Sequence, residues 1–298
     1  MKCKSCNGPC HLGDNLLHSG IMHTTDETAI EFEQVTFFYP DEAEESPGDP
    51  TRVFSDLSIR VPAGMTALVG ENGIGKSSFL LLAGARLMPM SGTVHLFGRD
   101  TRDFADAPMD PSLEEERNQL ASFIYQNMEF ETDEAIGGLM EAVYSMGRFE
   151  TRDPLFLEEL IKVLELNDAR MKRMQELSKG QMQRAVIAFS LLYGSPIVMM
   201  DEPVFALEVP QKERVFEYLL AYCRKNGTSI LYSAHNLELS KKYSDSTLLF
   251  RKEADPIVGP TGDIFTRDNI EKAYQAPMDT LYRRDSLYRQ MLLGAISS

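Results

Sequence analysis

Residues 70–78 read GENGIGKSS, a G-x-x-x-x-G-K-[ST] pattern set directly after an apolar stretch at 65–69 and before an apolar helix beginning near Lys76. Each residue type in that spacing has a chemical use. Gly70, Gly73 and Gly75 free the backbone, so that N–H groups of a loop that includes Asn72 converge on phosphate oxygens. The helix N-terminus through Ser77 and Ser78 adds positive partial charge. Lys76 has the length to reach β- and γ-phosphates, and the Ser77 hydroxyl suits Mg²⁺. The implied chemistry is capture of a phosphorylated ligand together with its cation.

Two further constellations extend that chemistry. Residues 197–203 read IVMMDEP, an apolar strand ending in two carboxylates. Such a strand delivers Asp201 to the metal side of the ligand, where it holds Mg²⁺ through water, and turns Glu202 toward the γ-phosphate to orient and polarise an attacking water. Residues 177–184 read LSKGQMQR, in which Ser178 and Gln181 form an S-x-x-Q capping box at the head of an amphipathic helix. By itself the acidic pair is a solvated turn and the capping box a good helix start. Following the phosphate loop, they point to hydrolysis.

The elements that must hold these groups follow from the hydrophobic pattern. Short apolar strands are expected at 30–39, 53–61, 66–69, 93–97, 122–125, 197–200, 229–232 and 247–250, alternating with helical stretches, which predicts βαβ units around a mostly parallel sheet. Residues 41–50 are acidic, with two Pro and one Gly, and read as a solvated loop. Residues 133–175 lack strand patterns and read as helical, with Pro154 at a helix start and a periodic run through Leu155, Phe156, Leu160, Ile161 and Leu164. After Pro256 a Gly and Pro loop is expected to lead into helices near 267–274 and 279–293. No internal repeat is present.

Composition limits the remaining options. With 298 residues, 43% hydrophobic and 25% charged, the chain is an ordinary globular protein of one or two domains. A formal net charge of -15 disfavours nucleic acid and bare anionic membrane as partners. No uninterrupted apolar run reaches the ~18 residues needed to cross a bilayer; the nearest, 185–200, is broken by Ser190, Gly194, Ser195 and Pro196. The N-terminus lacks the apolar core of a secretory signal, and four Cys make no disulfide framework, so a reducing cytosol is expected.

In order and spacing the three motifs resemble the ATP-binding subunits of ABC transporters, whose signature reads LSGGQ, and the resemblance covers about residues 31–250. It implies an α/β P-loop NTPase of ABC type, a mostly parallel sheet with an antiparallel β edge and a helical subdomain inserted at about 127–177. It assigns Tyr39 to stacking on adenine, Gln126 in FIYQN to sensing Mg²⁺ and the membrane partner, and His235 in YSAHN to contact with the γ-phosphate. ATP and Mg²⁺ are the implied ligands, with Ser77, Gln126 and Asp201 as the Mg²⁺ set and Glu202, His235 and Gln126 as the catalytic set. Two cassettes would sandwich two ATP molecules, each bound by Gly73, Gly75, Lys76 and Ser77 of one subunit and capped by Ser178 and Gly180, beside Gln181, of the other.

The resemblance also implies partners: a second ATP-binding subunit and polytopic permease subunits at the cytoplasmic face of the cell membrane, with no nucleic acid. The absence of a fused transmembrane region, the tail GDIFTRDNIEKAYQAP and the earlier VYSMGRF look like ATPases of metal-ion, iron-chelate and cobalamin importers. The competing class is a soluble ABC-type ATPase of translation or DNA repair. Its members usually carry two cassettes or a long coiled coil, and this chain has one cassette and no heptad run. Two departures stand out. Lys179 replaces the first Gly of the signature pair, and Glu208 stands where the family has an Asp that links the two sites.

Three domains are expected, at 1–28, 29–255 and 256–298. The first is a Cys- and His-rich appendage in which Cys3, Cys6, Cys10 and His11 offer a candidate Zn²⁺ ligand set.

Overall fold

The structure is a computed structural model and describes residues 27–39, 51–126, 128 and 131–282. Two sheets divide the work. Strands β1 (Thr28–Tyr39), β2 (Thr51–Pro62), β4 (Ser91–Leu96) and β5 (Arg99–Asp100) form an antiparallel sheet in the order β2-β1-β4-β5. The second sheet has six strands in the order β10-β9-β3-β8-β7-β6: β3 (Met65–Val69), β6 (Ala121–Ile124), β7 (Ile197–Met200), β8 (Ser229–Ser233), β9 (Ser246–Arg251) and β10 (Ala254–Pro260). All its pairings are parallel except β9 with β10. Strands β3, β7 and β8 are buried along their whole length, the burial expected of parallel strands covered on both faces.

Helix α1 (Lys76–Ala83) runs between the two sheets. Its Phe79 stacks on Phe32 of β1 with ring centroids 4.4 Å apart and meets Phe54 and Phe250 edge-on, so both sheets fix the helix that follows the phosphate loop. Helices α3 (Ile136–Met146) and α4 (Pro154–Val163) form the helical block and share one hydrophobic core with α5 (Lys179–Tyr193) and α6 (Val209–Asn226). Asp153 caps α4 with Pro154 in its first turn.

Three features depart from the expectation drawn from sequence. Helix α2 (Pro111–Leu120) carries no apolar stripe, so periodicity missed it; Asp110 starts it by accepting from the Ser112 and Leu113 amides. Strand β5 has only two residues. The segment expected to be a Gly and Pro loop after Pro256 is strand β10, which comes after α7 (Leu237–Tyr243) and β9 and is followed by α8 (Thr261–Ile264) and α9 (Arg267–Tyr274). Its two prolines are tolerated because β10 is an edge strand paired on one side, with Pro256 inside a register shift between Ala254 and Ile257. Among the described residues no helix is long and apolar enough to cross a membrane. The acidic loop at 41–50 and the part of the last expected helix beyond residue 282 lie outside the described residues.

Candidate nucleotide site

Four parallel strands end side by side, and the segments leaving their carboxyl ends carry the predicted residues: 70–78 after β3, Gln126 after β6, Asp201 and Glu202 after β7, and His235 after β8. Ligand sites of open α/β sheets form at this edge. The loop can take its shape only with glycine. Gly75 caps α1 at φ 106°, and a Cβ there would lie 2.8 Å from Val53 Cγ1. At Gly73, φ is 73° and a Cβ would meet nothing within 4 Å, so its backbone borders open space.

Lys76 lies inside that loop. Its Nζ donates to the carbonyls of Gly70 at 2.9 Å and Glu71 at 2.7 Å. Burial pushes the Lys76 ammonium below its ordinary range, opposed by Glu202, Asp201 and Glu71. The acidic pair that follows β7 therefore acts on the charge of the lysine, together with Glu71 of its own loop. Ser77 is exposed on the first turn of α1, whereas Ser78 is buried. Tyr39, 41% exposed at the end of β1, has its hydroxyl 3.1 Å from Ser78 Oγ, which sets its ring beside the loop.

Glu202 sits at the centre of a hydrogen-bonded set. His235 Nε2 is 2.5 Å from one carboxylate oxygen, and Gln126 Nε2 donates to the other at 2.8 Å. Burial of Glu202 pushes its pKa up, but the hydrogen bond and charge of His235, the Gln126 amide and Lys76 together outweigh it and hold the carboxyl below its ordinary range. Its backbone is left-handed, at φ 51°, a conformation costly for a non-glycine and one that concentrates at functional sites. Ser233 fixes that turn: the Glu202 amide donates to Ser233 Oγ at 2.9 Å, and Ser233 Oγ donates to Asp201 at 2.6 Å.

The signature segment is placed differently. Ser178 is exposed and caps α5, accepting from the Gln181 amide at 3.2 Å while its own amide donates to Gln181 Oε1 at 3.1 Å. The predicted capping box is present. A Cβ on Gly180 would lie 3.2 Å from the Ala206 carbonyl, so this turn packs on the segment that follows Glu202. Glu208 caps α6 in a capping box with Gln211.

Sequence reasoning missed three residues that join these parts. Gln183 accepts from the Ala206 amide at 2.9 Å and reaches the Glu202 carbonyl at 3.5 Å, tying α5 to the acidic turn. Ser233 lies two residues before His235 in the already noted YSAHN. Glu165, left-handed at φ 50°, accepts from Arg184 of α5 and from Gln211 and Arg214 of α6. Gln183 and Ser233 sit inside recognised motifs and were within reach; Glu165 has no local signal. Cys3, Cys6, Cys10 and His11 lie outside the described residues. Among the described residues no group of three or more His, Cys, Asp or Glu is able to hold a metal ion.

A glycine-shaped loop with a buried lysine, facing two carboxylates across a parallel sheet, defines a nucleotide-hydrolysing P-loop protein. The family model described as ABC transporter matches residues 54–205. The petrobactin import ATP-binding protein FatE of Bacillus anthracis is 29% identical over 220 residues, covering 72% of this chain and 81% of FatE. The manganese transport system ATP-binding protein MntB of Halalkalibacterium halodurans is 30% identical over 242 residues, covering 77% of this chain and 90% of MntB. A dimeric bacterial ABC transporter cassette superposes with a TM-score of 0.64 at 20% identity, covering 78% of this chain and 98% of that one. The chain belongs to the ABC transporter family, as an ATP-binding cassette with ATPase activity coupled to transport.

Proposed function

We propose that this chain drives import of a metal ion or metal chelate, working as one of two cassettes beneath a polytopic permease at the cytoplasmic face of the membrane. The observation that carries the hydrolytic part is Glu202, held by His235 and Gln126 at the mouth of the phosphate loop. A carboxylate kept ionised there orients and polarises a water for attack on the γ-phosphate. His235 fixes the Glu202 carboxylate and lies on the γ-phosphate side. Lys76 exchanges its two loop carbonyls for phosphate oxygens when ATP enters, and the Gly73 and Gly75 amides complete the cradle.

The donor set suits Mg²⁺: hard oxygens from the Ser77 hydroxyl, the Asp201 carboxylate and the Gln126 amide, whose nitrogen is already committed to Glu202. Mg²⁺, when bound, neutralises charge on the transferring phosphoryl group. Ser233 keeps Asp201 and the Glu202 backbone in register for that role. Tyr39, beside the loop, supplies the ring for adenine.

The exposed signature turn, with Ser178 and Gly180, supports capping of ATP held by a second subunit. The ATPase domain is then read as 29–255, with its helical subdomain at about 127–177, and 256–298 as a C-terminal segment whose first residues complete strand β10 of the core sheet. Between the helical block and the sheet lies a groove of about 510 Å³, lined in part by Arg86, Phe123, Met128, Val143 and Phe189 and two residues from Gln126 through Met128. That position suits a segment of the permease, whose movement would reach Glu202 through Gln126. The manganese in the name of MntB supports a metal cargo, and the petrobactin import in the name of FatE supports the import direction.

The test is affinity purification from detergent-solubilised native membranes. A stoichiometric polytopic membrane protein is the expected companion, and transport assays of that complex identify cargo and direction. Recovery only from the soluble fraction, with ribosomes or alone, would overturn the proposal in favour of a soluble ATPase.

A further inference from the structure

Helix α9, in the C-terminal region, touches the phosphate loop. The Gly70 amide, first of the loop, donates to Tyr274 Oη of α9 at 3.1 Å, across 204 positions of sequence. On its other side the Gly70 carbonyl accepts from Lys76 Nζ. The residue has a φ of 154°, and a Cβ there would stand 2.9 Å from Phe250 Cβ at the end of β9. Gly70 is thus held by the lysine, by β9 and by α9.

The same C-terminal region also anchors the opposite end of β3. The Met65 amide donates to the Asp245 carboxylate at 3.1 Å, and the Asp245 carbonyl accepts from the Thr261 amide at 3.0 Å, where α8 begins. Helix α9 is itself fixed, with Ile270 and Ala273 fully buried and Thr266 capping it through the Asn269 amide. Beyond it the chain turns at Gln275, and the Met278 amide donates to Glu271 at 2.9 Å. The strand that delivers the phosphate loop is therefore clamped at both ends by residues outside the segment that defines the family match.

We infer that Tyr274 is a positioning residue for the phosphate loop: its hydroxyl holds Gly70 in place when ATP draws Lys76 away from the loop carbonyls. The inference rests on residues 70–78 being the ATP-binding loop. Without the hydroxyl the Gly70 amide loses its acceptor at the moment the Lys76 contact is also released, so the loop must be ordered by the nucleotide alone. The consequence falls on binding, not on the chemical step, because Glu202 and His235 are positioned by β7 and β8.

The experiment uses the full chain and MgATP in calorimetric titrations, with steady-state ATPase and hydrogen exchange of the peptide containing Gly70. Tyr274→Phe keeps the ring and its packing and removes only the oxygen. It is expected to weaken MgATP binding about three- to ten-fold, the loss of one hydrogen bond to a backbone amide, to raise KM by a similar factor at unchanged kcat, and to speed exchange at Gly70. Unchanged affinity and exchange in Tyr274→Phe would overturn the inference. Lys76→Ala separates the two readings: if it binds MgATP as tightly as the unmodified chain, the loop assignment itself fails and the inference falls with it. If only Lys76→Ala loses binding, the loop stands and the Tyr274 role does not.

Discussion

The phosphate half and the signature half of the site are built differently. Lys76, Asp201 and Glu202 are half-buried or buried; Lys76 is held by Gly70 of its own loop, and the two carboxylates by Ser233, Gln126 and His235 from the strands neighbouring β7 or the segments that follow them. Ser178 is exposed and uses its hydroxyl on its own helix. The first half is complete within one chain, because parallel strands bring their loops to one edge. The second is an exposed turn, steadied from behind by Gln183 and Glu165, and in the proposed function it meets ATP held by another molecule. Damage to the first half should therefore appear in the isolated chain, and damage to the second only in the assembly.

The largest effect is expected from Glu202→Gln. Loss of a positioned base lowers kcat by about 10²- to 10⁴-fold, while MgATP binding persists; phosphate release and calorimetry on one sample check both. Gly75→Ala strikes the same half through the backbone. A left-handed φ of 106° and the 2.8 Å approach to Val53 cost about 1–3 kcal/mol, so the unfolding midpoint falls and MgATP affinity with it. Retained affinity would show that the loop tolerates a Cβ.

Ser178→Ala sharpens the contrast. Losing the cap costs about 1 kcal/mol of helix stability, visible as a small drop in melting temperature. MgATP binding by the isolated chain stays unchanged, and turnover of the assembled transporter falls. Equal loss in the isolated chain would place the signature turn within the same copy's site. The smallest effect concerns pH. Glu202 is held below its ordinary range against burial, by His235 first and then by Gln126 and Lys76, so its carboxylate stays ionised to lower pH than usual. His235→Ala removes part of that pull, and the acid limb of the residual ATPase profile moves to higher pH. An acid limb that stays put or moves down would mean that another group sets it.

Much of this contrast was legible in the sequence, for a physical reason. The phosphate loop, the acidic pair and the capping box are local: their residue types are dictated by backbone conformation or chemistry within a few positions, and all the strands of the parallel part of the core sheet were predicted within about two residues. Strand β10 was not, because Pro256, Gly259 and Pro260 break a pattern that only an edge position allows. Helix α2 was missed because its start lies in one Asp cap and its body is polar. Tyr274 and Glu165 act across long sequence separations on groups whose own motifs are silent about them, so only the folded arrangement reveals them.

The claim that one complete half-site and one outward-facing half-site belong to different chains is tested most directly by mixing variants. Lys76→Ala removes the phosphate half and leaves the signature turn; Ser178→Arg does the reverse. Each is expected to be inactive when reconstituted alone with the permease. Reconstituted together, they should recover ATP hydrolysis that neither shows separately, because mixed pairs regain one intact shared site. A mixture no more active than its two components would contradict the shared site.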